Sequence, residues 1–480
     1  MLLLLVLIPL LAFAAILGGA KARQTAVIAS GVNLVLGLAA AFSWKAALWG
    51  FTVPVLSTPA IHLSLGFIDG MSVVMLLLSV IVAFAASLTG TAPDGREKLY
   101  YGSSLLIAAG AIGAFVATDL FFFYAFHELA LIPTFLMIGI LGRGERKAAA
   151  WKITIYLGFG SLVLLAGLVW LAAATGTFDM IAMQDAEVID PSAQKSIAAF
   201  LIVGFGILVS LFPFHSWAAP AYASAPAPTA MLHAGVLKKF GLYGLLRLAV
   251  PLVPDGLGAW LVPLCVLLLG NILWVGFVTI SQKRLDGMLG NSSVMHMGYI
   301  FLAVAALVAV PEGMTNEWAL PAAVLLMFAH GVSIAMLFGL ADKIERATGT
   351  LDLDKLGGLA KSAPSLAFLF GLVGMASIGL PGLANFAGEV MVFIASFANY
   401  EPTAGLGPVQ ITCILSIWGV VISAIYMLRA YRKVFQGEVV PSTEEAADLG
   451  MTDRIPAVLL AVVLLIVGIC PNLLLSLLPK

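Results

Sequence analysis

The chain is a succession of long apolar segments, each near the length needed to cross a lipid bilayer. A helix rises about 1.5 Å per residue, so roughly 20 apolar residues span a hydrocarbon core of about 30 Å. Of the 480 residues, 61% are hydrophobic and 10% are charged, against about 25% charged residues in a soluble domain. The sequence therefore predicts an all-α, polytopic membrane protein with few extramembrane parts.

Fourteen such segments are predicted, and the seventh and twelfth are each interrupted near the middle. The fourteen lie near residues 1–18, 26–44, 70–89, 101–118, 120–141, 152–174, 197–217, 226–250, 257–280, 292–310, 318–341, 365–400, 408–430 and 455–475. The interruptions contain Pro213 with His215, and Pro381. A proline frees a backbone carbonyl, which membrane proteins tolerate only where protein or a wet cavity covers it. Two broken helices five segments apart predict two inverted five-helix repeats; ordinary proline kinks are the alternative for either helix alone.

The basic residues test this count, because they accumulate in the cytoplasmic loops of membrane proteins. When the loops are numbered alternately, one side carries 18 basic residues and the other carries four. The four are Lys45, Lys195, Arg247 and Lys480. An error of one segment would remove this asymmetry. The sequence therefore predicts fourteen segments with both termini outside.

Ionisable residues interrupt the apolar segments, and six of them supply an acid, a base and an imidazole in separate segments. They are Glu128, Lys238, Lys239, His296, His330 and Glu389. A charged group at the bilayer centre costs about 2.5–3.5 kcal/mol or more, so it marks an ion or proton path by default. The pattern predicts proton movement rather than anchoring. A structural buried ion pair at Glu128 and hydrogen-bonded histidines at His296 and His330 are the alternatives.

Other function classes find little support. A net charge of −1 gives no case for nucleic-acid binding. Cys265, Cys413 and Cys470 lie far apart in apolar segments, which argues against a metal site or a disulfide framework. A haem-carrying electron-transfer protein would need two facing histidines at matched depth, and no segment carries paired histidines at suitable spacing.

Several motifs follow one another between about residue 65 and residue 435. They are Ile68-Asp69-Gly70-Met71-Ser72, the segment Asp119–Pro133 around Glu128, Pro213-Phe214-His215-Ser216-Trp217, Ala225-Pro226, the segment Ala234–Arg247 around Lys238-Lys239, Ser292–Gly298, Ala329-His330-Gly331 and Leu380–Glu389. At this spacing the set resembles the antiporter-like subunits of respiratory complex I and of the related Mrp-type sodium/proton antiporters. It is most similar to the M subunit, the bacterial counterpart of mitochondrial chain 4, and the length also resembles an M rather than an L subunit.

The resemblance implies a proton-translocating module in a bacterial inner membrane, driven by redox chemistry in partner subunits. NADH, flavin (FMN), iron–sulfur clusters and quinone are then expected on those partners, with no cofactor and no metal on this chain. Antiporter-like L and N subunits and lipid are the expected contacts. The expected divisions are 1–100 (helices 1–3), 101–250 (first antiporter-like half), 257–434 (second antiporter-like half) and 455–480 (last helix). A subunit of a multi-component antiporter or of a membrane-bound hydrogenase is the alternative.

The resemblance also assigns roles to five residues of the proton path. Glu128 matches the family's fifth-helix glutamate, and Lys239 matches its eighth-helix lysine. His296 and His330 match histidines of the tenth and eleventh helices, whose unperturbed pKa near 6.5 suits a relay. Glu389 matches the terminal glutamate, and its position after the helix break places it near a half-helix N-terminus, which favours a carboxylate.

Further residues are candidates without an assigned family role. His127 adjoins Glu128 and is expected to face another helix. His233 lies one and a half turns before Lys239, and His215 lies in the helix break, where capping a freed carbonyl is as plausible as proton transfer. Lys152 is a candidate counter-charge.

The sequence departs from the family where a lysine normally pairs with the fifth-helix glutamate. That position is Leu208, and the usual Trp-Leu-Pro-Asp-Ala-His segment reads Trp217-Ala-Ala-Pro-Ala-Tyr222. Lys238, Lys152 or a lysine of a neighbouring subunit must then balance Glu128. Because Lys238 lies about 100° around the helix from Lys239, we expect it to turn toward the fifth and seventh helices and to balance Glu128.

Overall fold

A computed structural model describes residues 1–46, 49–311 and 313–478. Residues 479–480, the end of the predicted last segment, and with them Lys480, lie outside the described residues. The first third of the chain holds six long helices and one hairpin. These are α1 (Leu2–Leu17), α2 (Ala22–Phe42), antiparallel strands β1 (Phe51–Ser57) and β2 (Ala60–Leu65), α3 (Gly70–Leu88), α4 (Glu97–Val116), α5 (Leu120–Leu141) and α6 (Arg146–Thr175). The hairpin is an addition to the all-α prediction.

The next segments are interrupted helices. They are α7 (Pro191–Val209), α8 (Ala218–Ser224), α9 (Ala227–Leu232), α10 (Lys239–Gly244), α11 (Val250–Leu252), α12 (Pro254–Ala259), α13 (Leu261–Leu269) and α14 (Val275–Ser281). Three π-helical turns join some of them end to end: His233–Leu237, Leu245–Ala249 and Gly270–Trp274. A π turn is rare and often marks a functional site, and each of these three carries a buried polar residue, namely His233, Arg247 and Asn271.

The last part of the chain returns to long helices. They are α15 (Leu285–Val308), α16 (Ala319–Thr348), α17 (Pro364–Ile378), α18 (Ala384–Phe397), α19 (Pro408–Phe435), α20 (Pro441–Glu444), α21 (Met451–Ile469) and α22 (Asn472–Leu475). Short 3₁₀ turns lie at Ala182–Asp185 and Pro402–Ala404. Within the described residues, eleven helices are long and apolar enough to cross a membrane, and α1, α17 and α18 are shorter apolar helices. The chain is thus a helical, multi-span membrane protein.

Burial divides the helices into a central and a peripheral set. Helices α3, α4, α15 and α16 are almost wholly buried, whereas α2, α6, α19 and α21 expose a large part of their surface. The exposed side chains are mostly apolar, as in Ile28, Trp151 and Trp418. An apolar outer surface of this kind is suited to lipid or to a neighbouring membrane subunit.

The loops predicted to share a side lie together at one end of the bundle. Ion pairs join Arg143 to Glu345 and Lys343 to Asp453, and Lys433 lies 3.0 Å from Asp354. We call this end, formed by the loops around Arg143, Arg284, Arg346, Lys355 and Lys433, the basic end.

At the opposite end, an ion pair ties the start of α3 to the interrupted eighth segment. The guanidinium of Arg247 donates to both carboxylate oxygens of Asp69, at 2.6 and 2.9 Å. Asp69 also caps α3 by accepting from the backbone N–H of Met71. The two sequence motifs that contain Asp69 and Arg247 therefore meet in space.

Candidate functional site

Glu128 lies between α5 and α6, at the outer surface of the chain. Its Oε1 accepts a hydrogen bond from Ser161 Oγ at 2.7 Å and lies 3.3 Å from His127 Nδ1. The Glu128 side chain is 34% exposed and lines a cavity of about 240 Å³ with Leu131 and Leu157. Glu128 is therefore accessible from the side of the bundle rather than enclosed within it.

The predicted partners of Glu128 lie elsewhere. Lys238 Nζ lies 3.4 Å from Ser293 Oγ and 5.6 Å from the ring centre of Tyr222, and it forms no ion pair with Glu128. Lys152 precedes Ser161 by nine residues, or about 13.5 Å along α6. In the part of the chain that the structure describes, His127 is the partner that Glu128 has within ion-pair distance. The expectation that Lys238 balances Glu128 directly is therefore wrong for this structure.

His127 faces inward, as the sequence predicted, and packs against the eighth segment. Its ring stacks on Phe240 with the ring centres 4.1 Å apart and the planes 21° apart. Because adjacent residues of a helix point about 100° apart, Glu128 then faces α6. His127 thus connects an exposed carboxylate to the buried interior of the bundle.

Lys239, His330 and His296 form a continuous group in the buried centre. Lys239 Nζ donates to the carbonyl of Ala234 at 2.6 Å and lies 2.9 Å from His330 Nδ1. The rings of His330 and His296 have centres 5.7 Å apart. All three side chains are almost fully buried. A lysine amine and an imidazole nitrogen at hydrogen-bond distance can exchange a proton directly.

His296 is held between two backbone carbonyls. Its Nδ1 lies 2.8 Å from the carbonyl oxygen of Ser292, and its Nε2 lies 2.9 Å from that of Ser377. The Ser377 carbonyl would normally accept from the N–H four residues later, but that residue is Pro381, which has none. A neutral imidazole has one N–H and satisfies one carbonyl, whereas the protonated ring satisfies both. The hydrogen bonds that His296 can make to these two carbonyls therefore differ between its neutral and protonated forms.

Glu389 lies at the second helix break. Helix α17 ends at Ile378 and α18 begins at Ala384, with Gly379 and Gly382 at positive φ between them. The buried carboxylate of Glu389 packs so closely against Gly379 that a Cβ there would collide with it. Glu389 is the sixth residue of α18, beyond the first turn where a helix N-terminus acts. The backbone of Glu389 thus lies one and a half turns into α18, while its carboxylate faces the break.

The first helix break is closed by an amide and an indole. Helix α7 ends at Val209, and Asn271 Nδ2 donates to the carbonyls of Ser210 and Val294 at 3.0 and 2.9 Å. Asn271 Oδ1 accepts from the backbone N–H of Phe212 at 2.7 Å. The indole of Trp217 donates to a further α7 carbonyl, that of Ile207, at 3.1 Å. Helix breaks were predicted at Pro213 and at Pro381, and both are present.

His215 lines a large cavity at the first break. Its ring stacks on Phe212 with the centres 5.3 Å apart, and its Nδ1 is buried without a hydrogen-bond partner. The cavity has a volume of about 680 Å³ and reaches Arg284 and Asp286 at the basic end.

Sequence reasoning missed several residues that hold the site together. Ser161 binds Glu128, Ser293 approaches Lys238, and the Tyr222 hydroxyl lies 3.2 Å from His233 Nδ1. The altered segment that ends in Tyr222 was visible in the sequence, but serines in apolar segments carry no distinguishing signal. Among the described residues, no group of three or more His, Cys, Asp or Glu side chains is arranged to hold a metal ion.

The sequence of the chain matches known membrane proteins along most of its length. The family model described as NADH:quinone oxidoreductase/Mrp antiporter, TM, matches residues 117–426. The NAD(P)H-quinone oxidoreductase chain 4 1 of Synechococcus sp. (strain JA-3-3Ab) is 33% identical over 476 residues, covering 97% of this chain and 88% of the relative. Chain 4 2 of Microcystis aeruginosa is 35% identical over 377 residues, covering 77% of this chain and 66% of the relative.

Solved structures give the same result. A chain of respiratory complex I from Thermus thermophilus with bound NADH superposes with a TM-score of 0.88 at 28% identity, covering 99% of this chain and 98% of that one. A chain of the Mrp complex from Dietzia sp. DQ12-45-1b has a TM-score of 0.83 at 21% identity, covering 99% and 95%, and shows a shared fold. The chain therefore belongs to the NADH:quinone oxidoreductase/Mrp antiporter family of membrane subunits, as an antiporter-like M subunit of the chain 4 type.

Proposed function

We propose that this chain carries protons through the membrane part of an NADH:quinone oxidoreductase along Glu128, Lys239, His330, His296 and Glu389. The observation that carries the proposal is the direct 2.9 Å contact between Lys239 and His330 in a buried centre. A buried lysine without a carboxylate partner is costly, so it is suited to gain and release a proton. The protein's part is to hold these groups at distances that a proton can cross.

The transfers follow from the contacts. Protonated Lys239 gives a proton to His330 Nδ1 and returns to the neutral amine. His330 passes a proton to His296, which is held ready by its two carbonyls. Glu389, at the second break, is the terminal acceptor, and water in the break would bridge it to His296 because no direct contact joins them. NADH, flavin, iron–sulfur clusters and quinone would reside on partner subunits and supply the driving energy.

The exposed position of Glu128 supports a neighbouring membrane subunit at the α5–α6 face. A charged carboxylate at the depth of the bilayer is costly when it faces lipid. With Leu208 in place of a lysine and Lys238 turned away, a cation from a neighbouring L-type or N-type subunit would balance Glu128. Lipid would then cover the remaining apolar surface.

The placement in the membrane follows from the charge distribution. The basic end would face the cytoplasm of a bacterial cell, with both termini on the outer side of the inner membrane. The segments 101–250 and 257–434 would form the two antiporter-like halves, each with one broken helix. Residues 1–100 and 455–480 would flank them.

The decisive experiment replaces Glu128 by glutamine in the assembled complex. The amide keeps the size of the side chain and its contact with Ser161 but cannot carry a proton. Proton translocation per electron, measured in membrane vesicles during NADH oxidation, should be lost while the complex still assembles. Glu145→Gln, at an exposed loop carboxylate, is the matched control and should pump normally. A normal proton-to-electron ratio in assembled Glu128→Gln complex would contradict the proposal.

A subunit of a multi-component sodium/proton antiporter or of a membrane-bound hydrogenase is the second candidate. The similarity of the Mrp fold favours it, since the same helices occur without NADH chemistry. The subunits that co-purify with the chain distinguish the two. NADH-oxidising partners support the first candidate, and their absence from an otherwise intact complex supports the second.

A further inference from the structure

Lys238 is a buried base that the path above does not use. It is 1% exposed, and its Nζ is approached by Ser293 Oγ at 3.4 Å and by the ring of Tyr222. Within the described residues, it forms no ion pair with a carboxylate. A hydroxyl and an aromatic ring compensate a buried ammonium only in part. Lys238 therefore sits where both the neutral and the charged amine can be populated.

The contact with Ser293 places Lys238 beneath the cavity at the basic end. Asp286 lines that cavity on α15, and Ser293 follows it by seven residues. Seven residues make two helical turns, so both side chains lie on one face, about 10.5 Å apart along the axis. His215 lines the same cavity.

His233 shares Tyr222 with Lys238 and adjoins Ala234, whose carbonyl accepts from Lys239. Its Nδ1 lies 3.2 Å from the Tyr222 hydroxyl, while its Nε2 is buried without a partner. A buried ring nitrogen without a partner carries an uncompensated desolvation cost, and it can serve as a proton acceptor. The Tyr222 hydroxyl can donate to the other nitrogen or accept from it, so it allows both forms of the ring.

We propose that Lys238, Tyr222 and His233 form a second proton-binding site that loads Lys239 from the cavity at the basic end. A proton from water in the cavity binds the neutral amine of Lys238. Water would carry it to Nε2 of His233 and then to Lys239, because no direct contact joins Nε2 to either amine, and Lys238 is left neutral again. One proton enters and one leaves, and no electron moves. This inference rests on the proposed function, in which Lys239 is the central relay.

The test compares Lys238→Arg with Lys238→Met in the assembled complex in membrane vesicles. Arginine keeps the charge but cannot release its proton. If Lys238 carries protons, both variants should lower proton translocation per electron about tenfold, and Lys195→Met, an exposed lysine at the opposite end, should pump normally. If Lys238 is a fixed charge, Lys238→Arg pumps normally, and the proposal is overturned.

Tyr222→Phe gives a finer test, because it removes the hydroxyl and leaves the ring beside Lys238. We expect proton translocation to fall several-fold and its solvent isotope effect in D₂O to change, since the transfer through His233 becomes limiting. A loss of activity without a change in isotope effect would indicate a packing role instead and overturn the assignment of Tyr222.

Lys239→Met separates this inference from the proposed function. If Lys239→Met and Glu128→Gln lose pumping and both Lys238 variants retain it, the second site is wrong and the main path stands. If Lys239→Met pumps normally, the main path itself is wrong, and the second site fails with it.

Discussion

At the first broken helix the carbonyl of Ser210 accepts from the amide of Asn271, whereas at the second the carbonyl of Ser377 faces the imidazole of His296. Both breaks expose carbonyls that a continuous helix would satisfy, and helix α15 lies next to both through Val294 and His296. The first break is closed by a group that never changes its charge. The second break is closed by His296, a group whose charge can change, which lies beside His330 and near Glu389.

The difference indicates unequal tasks for the two breaks. An amide fixes a broken helix in one geometry at every pH. A histidine satisfies both of its carbonyls only when protonated, so the hydrogen bonding at the second break depends on the charge of His296. We expect the first break to act as a support and the second to respond to the charge of the path.

Replacing His296 by glutamine should have the largest effect on pumping. Glutamine can still donate to one of the two carbonyls but cannot be protonated. Proton translocation should fall roughly a hundredfold, the scale on which lost acid–base groups act, while the amount of assembled complex stays near normal. Fluorescence quenching by a pH-sensitive dye in vesicles, normalised to NADH oxidation, measures this. An unchanged ratio of proton translocation to NADH oxidation would contradict the proposal that the second break responds to the charge of the path.

Replacing Asn271 by leucine should act on stability instead. It leaves two carbonyls and the N–H of Phe212 without partners, and each buried unpaired group costs about 1–3 kcal/mol. We expect a loss of about 3 kcal/mol, seen as a lower Tm of the purified complex. The complex that does assemble should keep its proton-to-electron ratio. Asn399→Leu removes a single solvent-exposed hydrogen bond, from a half-buried amide to the carbonyl of Thr315; it is the control and should leave Tm nearly unchanged.

Two glycines of the second break provide a matched pair. Gly379 and Gly382 both have positive φ, so alanine costs about 1–2 kcal/mol at either position. At Gly379 the new Cβ also collides with the carboxylate of Glu389, whereas at Gly382 it meets open space. Gly379→Ala should therefore lower pumping several-fold more than Gly382→Ala at a similar Tm. Equal pumping in the two variants would show that Glu389 is not part of the proton path.

The smallest effect concerns the carboxylates that cap α7 and α17. Hydrogen bonds from the side chain and backbone of Ser192 hold the pKa of Asp190 below its ordinary value. Burial opposes the charged form of Asp448, but hydrogen bonds from Ser365 and from the N–H of Leu366 keep its pKa low as well.

A lowered folded-state pKa gives stability that is present above the unfolded value of about 3.9 and is lost as the pH falls through the folded pKa. The difference in Tm between wild type and Asp448→Asn should therefore be present at pH 7, begin to shrink near about pH 3.9 and vanish below the folded pKa. Asp190→Asn should show a smaller difference, because Asp190 is solvent-exposed and caps only its own helix. A difference in Tm between wild type and variant that grows as the pH falls would contradict the lowered pKa of these two carboxyl groups.

The sequence predicted the features that depend on residue type alone. Proline has no N–H, so Pro213 and Pro381 located both breaks. Ionisable residues in apolar segments pointed to Lys239, His296 and His330, and the structure brings these three together, although their proton-carrying role stays a prediction.

The features that depend on side-chain direction were not predictable. Lys238 follows a π turn, in which its N–H bonds to the carbonyl of His233, five residues back. The two lysines point about 100° apart, but the sequence does not tell which helices face each of them, because a count of about 100° per residue fails across the π turn. The carbonyl partners of His296 were also hidden, because Ser377 and His296 lie 81 residues apart. The β1–β2 hairpin was missed because its strands are short and lie between two predicted helices.

The two π turns in the eighth segment bear on how such subunits diverge and on how their sequences are aligned. A π turn holds one residue more than the α-helical turn it replaces. Deleting one residue within His233–Leu237 would restore a regular helix, and Lys239 would keep its face toward His330 with one residue fewer before it. The apolar character of the segment would hardly change. A single insertion or deletion inside a membrane helix can thus shift the position in the sequence of the lysine that faces the centre, and an alignment that confines gaps to loops would equate residues that occupy different faces.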